Sequence, residues 1–410
     1  MLNELGLDDR WSRAESVSIL VGPNGSGKSS FLRELTRRHR RDRQIVIVCN
    51  TPHDRFAGLQ GARRISVGKT DGSPRVVVKN SVAQALSGSG NEFYRISSIL
   101  EYCGYRARFG FRVDPAKNYG ESLQDLRDRY PRRLPDDHIG DVEGVPAEDL
   151  VPRFPWDPGE QDLELAANFM MRHDPFEQIW IDATDSILEF SRAREFASVL
   201  KLEARLRAWE VLKGIRVYLE REDGEAIEMQ HASSGQLALI SSLLFMITNT
   251  GDDPIVIVDE PENSLHPNWQ REYVDKVLAA LSYRNATVIL ATHAPLIVTG
   301  ALASSSNIVS VFQVRKGKAS RIVIDPEGAS AGIEEILWEA FEVVTPANHF
   351  VSESIVDAIS AFEKREISKE MVVALIERMK MESFDDRQQG FFTAVRELLD
   401  KVEIVRDAAS

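Results

Sequence analysis

Apolar residues along the chain keep two rhythms. Ser16 to Val21 is an apolar β-type run, and Gln44 to Cys49 is a continuous β-branched one, the pattern of a strand buried on both faces. Ile65 to Val67 and Arg75 to Val78 read as shorter strands, and Arg106 to Val113 as a longer one. Helical spacing marks Ser29 to Arg37, Ser81 to Leu86 and Glu92 to Tyr102. Between Pro115 and Asp162 the rhythm breaks. Pro131, Pro135, Pro146, Pro152, Pro155 and Pro158 interrupt it, with many acids between them, which predicts an irregular insertion. Leu163 to Arg172, Ser186 to Leu200 and Leu202 to Leu212 return to helical spacing. Ile215 to Arg221 and Ala226 to Gln230 read as a hairpin turning near Asp223-Gly224.

The second half is patterned more clearly. A helix is expected at Ser234 to Thr248, a strand at Ile255 to Val258, and a helix at Pro267 to Leu281. Strands are expected at Thr287 to Leu290, Ile308 to Val314 and Arg321 to Ile324. After about Gly328 the spacing of Ile355, Ile359 and Phe362, of Leu375 and Met379, and of Val395, Leu398, Leu399 and Val402 is helical. The expected division is 1–114, a first α/β lobe; 115–214, a helical and irregular insertion; 215–328, a second lobe; and 329–410, a helical extension.

Composition narrows the class. With 410 residues the chain is long enough for two or three domains, or one large domain with an embedded subdomain. A net charge of −13 argues against non-specific adhesion to DNA as the main role. Two arginine-rich segments keep nucleic acid open as a partner: Arg37 to Arg43, and Arg127, Arg129, Arg132 and Arg133. The plainer reading of each is a solvated stretch, the first complementing a helix dipole. Two cysteines, Cys49 and Cys103, give neither a disulfide framework nor a metal cluster, so a reducing cytosol is expected. Met1-Leu2-Asn3-Glu4 lacks the basic and apolar regions of a signal peptide, and Leu237 to Ile247 is far short of a membrane span. A soluble cytoplasmic protein without a membrane partner is expected.

Candidate chemistry lies between the elements. Gly22-Pro23-Asn24-Gly25-Ser26-Gly27-Lys28-Ser29 has the phosphate-loop pattern, with a strand before it and a helix after it. Its glycines let backbone N–H groups curl around an anion, and the helix adds its positive end. Lys28 can reach the outer phosphates, and Ser29 can ligate Mg²⁺. Ser30 completes this nucleotide-binding set. Gly68-Lys69-Thr70 looks similar, but Arg63 stands where the first glycine is needed, so it reads as a turn.

Ile255-Val256-Ile257-Val258 delivers Asp259 and Glu260 to a strand end. Asp259 suits Mg²⁺ and Glu260 suits a general base that polarises water. Ser233-Ser234-Gly235-Gln236 heads an apolar helix, with Ser233 a natural N-cap and the free N–H groups a second anion site. One phosphate loop already cradles the phosphates, so a second helix end aimed at the same phosphate is expected from another subunit. His293, in Ala291-Thr292-His293-Ala294-Pro295, sits at a strand end where imidazole can bond the γ-phosphate.

These stretches, in this order, resemble the ABC-type ATPase head, with its Walker A, signature, Walker B and H-loop. Asp259-Glu260-Pro261-Glu262-Asn263-Ser264-Leu265-His266-Pro267 is similar to the corresponding element of the SMC/RecF/OLD branch. The resemblance implies an α/β P-loop NTPase fold with two lobes. It implies ATP and Mg²⁺ as cofactors, and Lys28, Glu260 and His293 as catalytic groups. It implies a head-to-head dimer closed around ATP, with Asn263 to His266 touching the partner head. Two positions depart from the pattern: Ser234, where many relatives have glycine, and Ala294, where OLD-like relatives have serine. The tail after Gly328 is too short for the nuclease domain of OLD proteins. The chain therefore resembles stand-alone OLD-like ATPases that work beside a separate nuclease or toxic effector in bacterial anti-phage defence. The alternative is a RecF-like ATPase that clamps DNA.

Overall fold

The unbroken apolar runs become the interior of one sheet. Strands β1 (Ser16–Val21), β2 (Ile45–Cys49), β3 (Ala62–Ser66), β8 (Ile255–Asp259), β9 (Thr287–Ala291), β10 (Val309–Arg315) and β11 (Lys318–Ile322) form a seven-stranded sheet. Their order is β11-β10-β1-β9-β8-β2-β3. All neighbours are parallel except the antiparallel pair β10 and β11. In this computed structural model the described residues are 15–51, 55–66, 73–87, 93–116, 160–174, 176–184, 192–322, 341, 349–381, 392, 395–396, 398–400 and 402–403.

Side chains leave a strand alternately to its two faces, and the sheet splits its residues accordingly. Leu20, Ile45, Ile47, Ile255, Ile257 and Ile289 pack on one face with Leu32 and Leu35 of α1 (Lys28–His39). Ile19, Val48, Val256, Val258, Val288 and Leu290 face the larger core on the other side. That core also takes in a four-stranded antiparallel sheet of order β5-β4-β6-β7. Its strands are β4 (Tyr105–Pro115), β5 (Ile179–Asp182), β6 (Leu212–Arg221) and β7 (Ala226–Glu228). Helix α2 (Pro74–Leu86) packs against α5 (Ala193–Ala208) and α6 (Ser234–Asn249) within it.

Several expectations change. Arg75 to Val78 is the start of α2, not a strand: Pro74 sits at the helix start, and Val77, Val78 and Val82 are buried. A helix covered on several sides can carry consecutive buried apolar residues, so its valine run imitates a buried strand. The helix break expected near Lys201 is absent; α5 runs through it, and 186–191 lie outside the described residues. Strand β5 and helices α4 (Glu160–Arg172) and α5 lie in the span 115–214. Strands β4 and β6 zip together across that span, so its two ends leave one sheet side by side. Arg127, Arg129, Arg132, Arg133 and Gly68 to Thr70 lie outside the described residues.

The remaining helices are α3 (Ser97–Tyr102), α7 (Pro267–Ala280), α8 (Pro295–Ser305), α9 (His349–Glu363) and α10 (Lys369–Met381). Helices α9 and α10 contribute to a third cluster that includes Ile355, Phe362, Val372, Ile376 and Met379. Among the described residues no helix is long and apolar enough to cross a membrane.

Candidate nucleotide site

The loop after β1 is shaped by three glycines in left-handed backbone: Gly22 at φ 144°, Gly25 at φ 80° and Gly27 at φ 101°. A Cβ at Gly22 would stand 2.6 Å from the Val314 carbonyl oxygen, so the loop passes where only glycine fits. Gly27 caps α1, directly before Lys28. The buried Ser26 hydroxyl has no hydrogen-bond partner and lies beside Gly22, a polar atom left for a ligand inside the loop. Lys28 folds back over the loop, its Nζ donating to the Gly22 carbonyl at 2.8 Å.

Sheet order builds the rest. β9 lies between β1 and β8, so the strand bearing His293 ends between the phosphate loop and the carboxylate pair. Leu20 and Asp259 both stand level with Ala291. The result is convergence of residues far apart in sequence. Lys28 Nζ lies 3.0 Å from His293 Nε2. His293 Nε2 lies 3.4 Å from Glu260 Oε1. Ser29 Oγ donates to Asp259 Oδ1 at 3.2 Å. Lys28, Ser29, Asp259, Glu260 and His293 thus form one cluster.

Burial dominates the electrostatics of this cluster. It pushes Asp259 up to about 6, opposed by the hydrogen bond from Ser29 and the charge of Lys28 and reinforced by Glu260 and Glu262. Lys28 is lowered by burial, against the three carboxylates. His293 is lowered by burial and then by Lys28, which favours neutral imidazole. Converging hard oxygens at Ser29 and Asp259 fit Mg²⁺, which takes few protein ligands and fills its shell with phosphate oxygens and water.

Ser233 to Gln236 stands apart from this cluster in its bonding. Ser233 is the N-cap of α6. The Gln236 carboxamide accepts from Tyr105 Oη at 2.8 Å and from the Ser233 N–H, and donates to the Cys103 carbonyl. That side chain holds its own helix start in place. Gly235 is required by a close approach: a Cβ there would lie 2.3 Å from the Ser264 carbonyl oxygen. His266 takes the helix-start role, its Nδ1 accepting from the Asn268 N–H at 3.3 Å. In the arginine-rich end of α1, Arg38 bonds Glu34, Arg40 bonds the Gln60 carbonyl, and Arg43 bonds Asp253 and Thr287.

Sequence reasoning gave Glu262 and Thr292 no role, and gave Asn263 only a contact with a partner head. Glu262 accepts from the His293 N–H and from Thr292 Oγ1, and Asn263 Nδ2 donates to Glu260 and to the Asn50 carbonyl. The only signal was place: Glu262 and Asn263 lie in the turn after Asp259-Glu260, and Thr292 lies directly before His293.

Residues 71–299 match the family described as "AAA domain, putative AbiEii toxin, Type IV TA system". That span holds Ser233 to Gln236, Asp259, Glu260 and His293; the phosphate loop precedes it. The chain is 23% identical over 222 residues to "Protein ea59" of Escherichia phage lambda, covering 50% of this chain and 40% of that protein. It is 28% identical over 153 residues to "Retron Vc95 probable ATPase" of Vibrio cholerae, covering 35% and 28%. It is 29% identical over 122 residues to "Ribose import ATP-binding protein RbsA" of Pseudomonas putida, covering 30% and 21%. The chain therefore spans less than half the length of these curated relatives. An SMC head domain from Thermotoga maritima aligns over 27% of this chain and 39% of that one, at 12% identity and a TM-score of 0.21. With the family match spanning more than half of its residues, the chain belongs to this AAA domain family.

Proposed function

We propose that the chain binds ATP with Mg²⁺ and hydrolyses it, as an ABC-type ATPase that closes head to head around the nucleotide and controls a separate effector in anti-phage defence. The observation that carries the ATPase reading is the meeting of Lys28, Ser29, Asp259, Glu260 and His293 at the ends of β1, β8 and β9. The loop amides and Lys28 bind the phosphates. Ser29 and Asp259 hold Mg²⁺, which neutralises phosphate charge when bound. Glu260 orients and deprotonates the attacking water, and His293 bonds the terminal phosphate. The signature turn, Ser233 to Gln236, serves the pocket of a second copy. Relatives named as an ATP-binding protein and as a retron's probable ATPase support ATP as the ligand. The family wording, which names a toxin-antitoxin system, supports a place in such a system.

Lys28→Ala should weaken ATP binding, and Glu260→Gln should keep ATP bound and stabilise the dimer. Nucleotide titration and light scattering with and without ATP check both. An unchanged mass for the Gln variant in ATP counts against the sandwich.

A second reading, a DNA-clamping ATPase, draws on a cavity of about 290 Å³ lined by Ser30, Arg33, Glu34, Arg37 and Arg55. Its arginines suit phosphate esters. DNA-stimulated turnover that is lost in Arg33→Glu and Arg37→Glu selects that reading.

A further inference from the structure

We infer that Glu262 is a positioning residue that ties the turn after Asp259-Glu260 to the pocket histidine, so that a movement of the α6 head reaches His293. The inference rests on the ATPase reading above and assigns a role to a residue outside the expected catalytic set.

The turn is held in an unusual shape. Glu260 at φ 52° and Ser264 at φ 70° are both in left-handed backbone, which non-glycine residues adopt only where surrounding contacts hold them. Glu262 uses both carboxylate oxygens on one short stretch. One accepts the His293 N–H, and the other accepts Thr292 Oγ1 at 2.9 Å. Thr292 is fully buried, and its Oγ1 also accepts the Ala294 N–H at 2.9 Å. This pins the backbone on both sides of His293. Charge-assisted bonds of this kind are short and directional, so they transmit displacement instead of absorbing it.

The other end of the turn touches α6. The Ser264 carbonyl is so close to Gly235 that a Cβ could not be placed between them. Asn263 spans from the Asn50 carbonyl to Glu260. The turn therefore contacts the helix head proposed to serve one pocket, the general base of its own pocket, and the backbone of the histidine. If a nucleotide presses on the head of α6, the turn shifts, and the two Glu262 bonds carry that shift to the His293 backbone.

The test uses the full chain with Glu262→Ala, Glu262→Gln and Thr292→Val, measuring ATP affinity, kcat, KM and hydrogen exchange of the peptide containing His293. Glu262→Ala should lower kcat roughly 10- to 100-fold through misplacement while KM and ATP affinity stay within about twofold. Exchange at His293 should rise, with β8 peptides unchanged. Glu262→Gln keeps one acceptor for the His293 N–H and should recover part of kcat. Thr292→Val, close to isosteric, should fall between wild type and Glu262→Ala. It serves as the test variant should Glu262→Ala misfold. The proposal is overturned by unchanged kcat, or by lowered kcat with unchanged exchange, which makes Glu262 a matter of charge alone. A wild-type chain that binds ATP without turnover sinks the ATPase reading, whereas the exchange measurement still decides whether Glu262 holds the histidine backbone.

Discussion

Gly235 shows how little room single residues have in this molecule. The head of α6 rests on the turn ending at Ser264, and a methyl group added at 235 would fall 2.3 Å from the Ser264 carbonyl oxygen. A backbone oxygen inside a fixed turn cannot swing away as a flexible side chain could. Gly235→Ala should therefore cost about 1–3 kcal/mol of stability, read as a lower urea midpoint with an unchanged slope. Cys103 is governed by burial instead of contact. Removal from water pushes its thiol up to about 12, with Lys276 opposing. Cys49 is buried as well, and neither thiol is in a disulfide. At neutral pH a thiol-titrating reagent should therefore find neither in the native chain and both in denaturant. Rapid native labelling of one would show that its surroundings open. Ala294 illustrates compensation: it begins α8 without a capping side chain, and Thr292 Oγ1 takes its N–H instead.

Among the elements, the second sheet carries the clearest electrostatic signature. Glu220 on β6 is buried, and Arg108 on β4 bonds it, with Arg106 nearby at 3.3 Å. The hydrogen bond from Arg108 is the main cause that holds its carboxyl below the usual carboxylate range. The sign follows: a carboxylate depressed in the folded state stabilises above its unfolded value and loses that contribution as pH falls through the folded one. Glu220→Gln should thus be less stable than wild type at neutral pH, and the gap should narrow in acid below about pH 4.5, measured as thermal midpoints across a pH series. A constant gap would assign the loss to packing. The central strands of the main sheet were legible because both their faces are covered, which leaves apolar runs such as Ile255 to Val258; the edge strand Ala62–Ser66, half exposed, was read only at Ile65 and Ser66. Arg75 to Val78 misled because a helix packed against α5 and α6 also carries an unbroken valine run, Val76 to Val78. Helix α8 drew no expectation although Pro295 opens it, because its run Leu296 to Ala303 is apolar without a polar face. Site residues were legible where the chemistry sits in one window, as in Gly22 to Ser29. Glu262 was not, because its partners Thr292 and His293 lie on another strand end and only the sheet order unites them.

On the scale of the whole molecule, the cores divide unequally. The two clusters on either face of the main sheet share strands, so neither can melt without exposing the other. Among the described residues the cluster of Ile355, Phe362, Val372, Ile376, Met379 and Leu399 shares no buried residue with them. Its members come from α9, α10 and the short described pieces near the chain's end. A core built from separate residues is a candidate for a separate cooperative unit. Phe362 is its test residue, being fully buried within that cluster. Phe362→Ala should remove about 3–5 kcal/mol from that unit. If the units are independent, urea unfolding followed by circular dichroism shows two steps. The substitution then moves the early step, while the late step and the ATP affinity stay in place. A single step displaced as a whole, with ATP affinity falling alongside it, would instead mean that the terminal helices and the nucleotide site fold as one. In that case a partner gripping those helices would act on the pocket through stability itself, without needing a mechanical link.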